Sequence, residues 1–228
     1  YPVEFMTALL TAESRGSTGP AKNEKISQAI SECRRLDVTI LPPSINSSDA
    51  EFSIENGTKV RFGLSAIKNV GSAAISTILE CRKDGKFESL TDLCRRVDLS
   101  KVNKKTIESL IKAGALDEFG KRAALLTSYS DISTKIGKEK NKVKSQAGLF
   151  DDEPAPKDII YDTTSSSIED FTESEKLLFE KELLGFFLTN HPLIQELENL
   201  AKQISHNISE LQEAPEGTRI KVGGMLSS

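Results

Sequence analysis

Hydrophobic residues recur along most of this chain at intervals of three and four, the period of a helix with one buried face. Within the first eleven residues Val3, Met6, Ala8, Leu9 and Leu10 keep that spacing, which predicts an opening helix ending before Gly16. Ile26, Ala29, Ile30 and Cys33 fall on one side of a second predicted helix, Ala21–Leu36, with charges opposite, and Leu41-Pro42-Pro43 is expected to stop it. The period then changes. Phe52 and Ile54, then Val60 and Phe62, alternate on either side of Asn56-Gly57, the dipeptide best suited to the positive φ angles of a two-residue turn, so one β-hairpin is expected. Beyond Gly63 the helical pattern returns, broken at Gly71, Gly85, Gly114 and Gly120.

Between Gly137 and Asp170 the chain becomes Lys-rich, then acidic with Pro154, Pro156 and Ser165–Ser167, and loses its periodicity. A flexible linker is expected there. Phe171–Phe187 resumes a helical pattern, a further helix is predicted from Pro192 to Ile204, and Arg219–Met225 alternates weakly, like a strand entering another domain.

The overall charge of −4 is a poor guide, because the charges are segregated. Leu99–Ser145 holds 11 Lys or Arg against 5 Asp or Glu, a balance of +6, whereas Asp151–Leu183 holds 3 against 11, a balance of −8. A basic binding face beside an acidic connector is implied. No apolar run approaches the roughly 18 residues of a membrane span and no cleavable signal is evident, which points to a cytoplasmic protein without a membrane partner. Cys33, Cys81 and Cys94 are odd in number and lack CxxC spacing, so they read as small buried apolar side chains. The sequons at Asn46 and Asn56 carry no chemistry without a secretory route. His191 and His206 are the only histidines, too few for an acid–base pair or a metal site. No catalytic residue and no metal ligand is assigned.

The most informative run is Phe62-Gly63-Leu64-Ser65-Ala66-Ile67-Lys68-Asn69-Val70-Gly71-Ser72-Ala73-Ala74-Ile75, which resembles a helix-hairpin-helix motif. In such a motif Gly71 lets the backbone turn and approach a phosphate, while the unpaired N–H groups of Ser72, Ala73 and Ala74 point outward at the positive end of a new helix. Lys68 adds a mobile charge beside that phosphate. The motif often has glycine where this chain has Asn69, the residue next best suited to a left-handed conformation. A second copy is expected where a helix over Asn103–Ala113, with Ile107, Leu110 and Ile111 inward, leads into Gly114-Ala115-Leu116-Asp117-Glu118-Phe119-Gly120 and a new helix from Lys121. Lys121 and Arg122 oppose the dipole of that helix, and a bound phosphate would explain them. The candidate DNA-binding residues are therefore Lys68, Asn69, Val70, Gly71, Ser72 and Ala73 in the first hairpin, with Gly114, Leu116, Gly120, Lys121 and Arg122 in the second.

Gln146-Ala147-Gly148-Leu149-Phe150 resembles the clamp-binding peptide of bacterial replication proteins, with Gln146 as polar anchor and Leu149 and Phe150 for an apolar cleft. Glu182-Leu183-Leu184-Gly185-Phe186-Phe187-Leu188 and Asn190-His191-Pro192-Leu193 add a further signature. With Tyr1–Met6, Leu41–Asn46 and Phe62–Gly71, these runs resemble the C-family replicative polymerases, the alpha-subunit family of bacterial DNA polymerase III.

The resemblance implies the end of a fingers domain over 1–58, carrying the first hairpin strand, and a tandem helix-hairpin-helix DNA-binding domain over 59–136. It further implies a flexible linker with the clamp-binding peptide over 137–170, a helical segment over 171–215 and the first OB-fold strand over 216–228. The fold class expected is mainly α, with a small β-hairpin. Implied partners are double-stranded DNA, the sliding clamp (the beta subunit) and the other holoenzyme subunits. The family's palm binds Mg2+ through clustered aspartates that are not found here, so the segment is expected to be non-catalytic and to hold no cofactor.

Two other functions fit parts of the pattern. A hairpin-containing repair nuclease or glycosylase could use Lys112 or Asp117, although a chain with no Trp and 3 Tyr offers little to stack on a flipped base. Alternatively the hairpins are packing elements only, and the chain acts as a protein-interaction module that binds the clamp.

Overall fold

A computed structural model describes residues 1–16, 20–145, 168–188 and 220–221. Tyr1–Leu188 forms one compact unit; of the second, Thr189–Ser228, only Ile220 and Lys221 are described, and they form no regular element. The predicted helix from Pro192 and the clamp-binding peptide lie outside the described residues, as does the strand expected from Arg219 apart from Ile220 and Lys221.

The first unit is mainly helical, as expected. Helix α1 (Pro2–Gly16) packs on α2 (Pro20–Arg35), burying Met6, Leu10, Ile26, Ile30 and Cys33 between them and the sheet. The prolines do not end α2. It stops at Arg35, and Asp37 turns the chain with a φ of 58° into a strand the alternation did not reveal, β1 (Thr39–Leu41). Strands β2 (Ser53–Glu55) and β3 (Lys59–Arg61) form the expected hairpin, with φ of 55° at Asn56 and 72° at Gly57 as a primed turn requires. β3 lies in the middle, antiparallel to β2 and parallel to β1, with Ile40 and Ile54 both opposite Val60. A boundary between residues 58 and 59 therefore falls within the hairpin, where its turn meets β3.

A 3₁₀ turn (Leu64–Ala66), rather than an α-helix, leads into α3 (Ser72–Arg82). Helices α4 (Leu90–Arg96) and α5 (Lys104–Lys112) start at Ser89 and Asn103, whose side chains accept from the amides of Asp92 and Thr106. A second 3₁₀ turn (Asp117–Phe119) precedes α6 (Arg122–Ser145), which stays helical through 137–145, where a linker is expected. Continuous i to i−4 bonding from a packed helix carries a polar Lys-rich sequence further than its composition suggests. After residues 168–170, α7 (Glu173–Leu183) starts from a capping box formed by Thr172 and Glu175.

One apolar core joins these parts. Phe62 is fully buried, edge-on to Phe52 with ring centres 4.8 Å apart and 5.8 Å from Phe186 beyond α7, so the sheet and the C-terminal segment share a contact. The polar bracket is Asn46. Its amide nitrogen donates to the Phe87 carbonyl at 2.8 Å and the Glu118 carboxylate at 2.9 Å, while its oxygen accepts from the Phe87 amide at 2.8 Å. With the Ile45 amide donating to the Ala115 carbonyl at 2.7 Å, the loop after β1 thus holds the second hairpin. Asn46→Ala leaves the buried amide and carbonyl of Phe87 unsatisfied and should lower unfolding free energy by about 2–3 kcal/mol. A urea midpoint close to the parent's would show that the bracket carries no stability.

Candidate nucleic-acid interface

The first hairpin turns where expected. Asn69 adopts a φ of 67°, so the left-handed position tolerated by glycine or asparagine is real. Asn69 does more than permit the turn: its side-chain amide nitrogen donates to the Ser109 hydroxyl at 3.1 Å, and its backbone carbonyl accepts from the Thr106 hydroxyl at 3.0 Å. Asn69 thereby clasps the hairpin to α5. Gly71 needs no left-handed angle, since its φ is −83° and a Cβ placed there would meet nothing within 4 Å. The turn attributed to Gly71 is made by Asn69, and what Gly71 contributes is open space.

Helix α3 begins at that open space with no side chain capping it. Ser72 and Ala73 are exposed, and their amides precede the first i to i−4 bond of the helix, donated by Ile75 to the Gly71 carbonyl at 3.0 Å. Lys68 is exposed beside them, while its own amide donates to the Leu183 carbonyl at 2.9 Å. Val70 is buried, so its side chain supports the turn from inside.

An open cleft of about 410 Å³ lies between this start and the start of α5, lined by Asn69, Val70, Gly71, Ala73, Ala74, Lys101, Asn103 and Thr106. Lys101, Lys104 and Lys105 are exposed around that second start, and Lys104 is only 3.7 Å from Glu108 in a loose surface pair. These residues were not singled out from the sequence. Their signal was present, since Asn103 precedes an amphipathic helix within the basic stretch. The uncapped start of α3 through its amides, and the lysines around the Asn103-capped start of α5 through their charge, can together hold a linear polyanion.

The second hairpin differs from expectation. Leu116 is fully buried, Gly114 is buried, and the Arg122 guanidinium is bound from inside: it donates to the Asp117 carboxylate at 2.8 and 2.7 Å and to the Lys112 carbonyl at 3.0 Å. Arg122 does not need a phosphate, because Asp117, five residues before it, supplies the anion. Gly114, at a φ of 83°, is glycine because a Cβ would run into that guanidinium. Gly120 is partly buried at a φ of 134° and makes the bend before α6. The start of α6 is occupied too. Asp170 accepts from the Ala123 amide at 3.2 Å, and the Lys121 ammonium, though exposed, donates to the Ile168 carbonyl at 3.2 Å. Gly114, Leu116 and Arg122 are thus structural, and Lys121 is engaged by the chain itself.

Burial alone would raise the carboxyl of Asp170, but the Lys176 ammonium at 3.0 Å and the amides of Ala123 and Phe171 hold it below the usual aspartate range. Burial, with the Glu32 carboxylate adding to it, pushes the Cys33 thiol up to about 11, so it stays protonated and inert at neutral pH. Lys112 and Asp117, the candidates for repair chemistry, are both engaged, Lys112 over the Phe179 ring at 5.3 Å and Asp117 on Arg122. Among the described residues no group of three or more His, Cys, Asp or Glu is arranged to hold a metal, and no helix is long and apolar enough to cross a membrane.

A family model for the helix-hairpin-helix motif matches residues 37–125. The chain is also similar to DNA polymerase III alpha subunits. It is 39% identical over 216 residues to that of Deinococcus radiodurans, covering 92% of this chain and 15% of the relative. It is 37% identical over 227 residues to that of Bacillus subtilis, covering 100% of this chain and 19% of the relative. With the Vibrio cholerae subunit it shares 34% identity over 230 residues, 99% of this chain and 19% of the relative. The chain thus spans less than a fifth of the length of these relatives.

Two outcomes follow from the second hairpin. Arg122→Met strands Asp117 and the Lys112 carbonyl and should cost roughly 2–3 kcal/mol by urea unfolding, where a loss within 0.5 kcal/mol counts against the anchor. A lowered carboxyl stabilises the folded state fully above its unfolded value of about 3.9 and loses that contribution as pH falls through the lower folded value. The Ala123 amide resonance should accordingly move only below about pH 3.9. An inflection above it would remove the Asp170 contact.

Proposed function

This chain is related over nearly its whole length to one segment of the DNA polymerase III alpha subunits, and on that premise we propose that it grips duplex DNA by its backbone. The reading rests chiefly on the exposed, uncapped start of α3 beside Gly71, facing a cleft shared with the lysine-bordered start of α5. Amides and ammonium groups meet phosphate oxygens without reading base edges, so binding is indifferent to sequence. Each neutralised phosphate releases counterions, so it also falls steeply with salt. Single strands, which cannot present two backbones at a fixed separation, compete poorly.

The protein-interaction reading treats the hairpins as packing alone. The second hairpin has that character, through Arg122 and Asp170, but the first leaves donors open to solvent.

Clamp tethering through Gln146, Leu149 and Phe150 is the finer part of the proposal, and its support is the sequence of the peptide. The whole alpha-type polypeptide is proposed to carry out nucleotidyl transfer with Mg2+ in the cytoplasm, alongside the other holoenzyme subunits. This segment would hold the product duplex and tie the enzyme to its clamp.

Gly71→Ala tests the grip most selectively, because the methyl group fits the fold without strain yet stands where a phosphate would come. Duplex affinity by fluorescence anisotropy should fall about fivefold, near 1 kcal/mol, with an unchanged unfolding midpoint. Unaltered affinity would remove the first hairpin from the interface. Leu149→Ala combined with Phe150→Ala should abolish capture by the sliding clamp and leave duplex binding intact; persistent capture would eliminate the peptide.

A further inference from the structure

The start of α6 differs from that of α3 in one respect: the chain fills it with an anion of its own. We propose that Ile168–Asp170 is an internal competitor for DNA phosphate, closing the second hairpin in the free protein and being displaced when a duplex backbone arrives. The inference rests on the duplex-binding reading above.

Three observations support a displaceable occupant over a permanent cap. The contacts are long: the part-buried Ala123 amide to Asp170 carboxylate bond is 3.2 Å, and the exposed Lys121 ammonium to Ile168 carbonyl bond is 3.2 Å. Each is at the outer limit of a good hydrogen bond, and the lysine donates to a neutral carbonyl where a phosphate oxygen would offer full charge. Next, Asp170 carries its own counterion, since Lys176 on the first turns of α7 pairs with it at 3.0 Å. The segment can therefore leave α6 without stranding a carboxylate. Last, the helix start is held by other groups. Arg122 is anchored by Asp117 and the Lys112 carbonyl, and Gly120 makes the bend, so the amide of Ala123 and the ammonium of Lys121 remain in place when Asp170 departs.

The charge pattern fits a competitor. Asp170 belongs to an acidic run with Glu169, Glu173 and Glu175, and the Lys121–Ile168 contact joins that run to the basic stretch Leu99–Ser145. Added salt weakens the internal contact and the DNA contact together, and the occupant lowers the apparent affinity of any polyanion that needs this helix start.

The experiment uses the full chain and a fluorescent duplex across a salt series. Asp170→Asn keeps an oxygen for the Ala123 amide but removes the charge; Glu169→Gln removes a neighbouring exposed charge as a control for general electrostatics. Asp170→Asn should tighten duplex binding about threefold beyond the control, because the competing carboxylate no longer has to be displaced. Lys121→Gln should then weaken binding in the Asp170→Asn background while changing it less than about twofold in the native one. In the unsubstituted protein, saturating duplex should shift the Asp170 and Phe171 amide resonances. Equal effects of the Asp170 and Glu169 substitutions, one Lys121 effect in both backgrounds, or unmoved resonances would overturn the inference. Gly71→Ala reports on the first hairpin separately: if it weakens binding while Asp170→Asn matches its control, only the internal competitor is lost.

Discussion

The arrangement depends on one residue in a left-handed conformation. Asn69 turns the chain at a φ of 67° and, through its amide and its carbonyl, binds Ser109 and Thr106 of α5. Glycine would make the same turn more easily, but it could not donate to Ser109. Asparagine accepts a small conformational cost in return for fixing one helix start relative to another. Because of that clasp, the start of α3 and Lys101 before α5 border a common cleft rather than two unrelated patches of surface.

The two hairpins use the same local geometry for different ends. In the first, small residues leave the helix start bare. In the second, Arg122, Asp117 and Gly114 interlock so closely that the glycine is required by the guanidinium behind it. The segment 168–188 then touches both. Asp170 reaches the start of α6, the Leu183 carbonyl receives the Lys68 amide, and Phe186 packs near Phe62. A stretch beyond a long acidic connector therefore belongs physically to the hairpins it follows, and its position registers at each.

What could be read beforehand was what neighbours in the chain decide. The primed turn at Asn56-Gly57, the left-handed Asn69, the bend at Gly120 and the cap at Asn103 are local, and the first three were anticipated from residue type or pattern. Parallel pairing of β1 with β3 was not, because a three-residue strand with Thr39 exposed and Ile40 and Leu41 both half-buried leaves no alternation to detect. The partners that Lys121 and Arg122 take within the chain could not be read for a related reason. Two basic residues at a helix start do call for an anion, but the anions are Asp117, nearby yet facing inward, and Asp170, 47 residues away from the amide it caps. No periodicity reports a contact across that separation. Lys101, Lys104 and Lys105 were visible as part of a basic stretch and became site residues only once α5 was seen beside α3.

The central claim is that the starts of α3 and α5 act as one backbone-gripping surface. It is tested most directly by titrating isotopically labelled protein with a short duplex at low salt and following backbone amide resonances. The account predicts that Ser72, Ala73, Lys104 and Lys105 shift together along one binding curve that weakens as salt is added. Saturating duplex that moves neither pair, or moves only one of them, would contradict it.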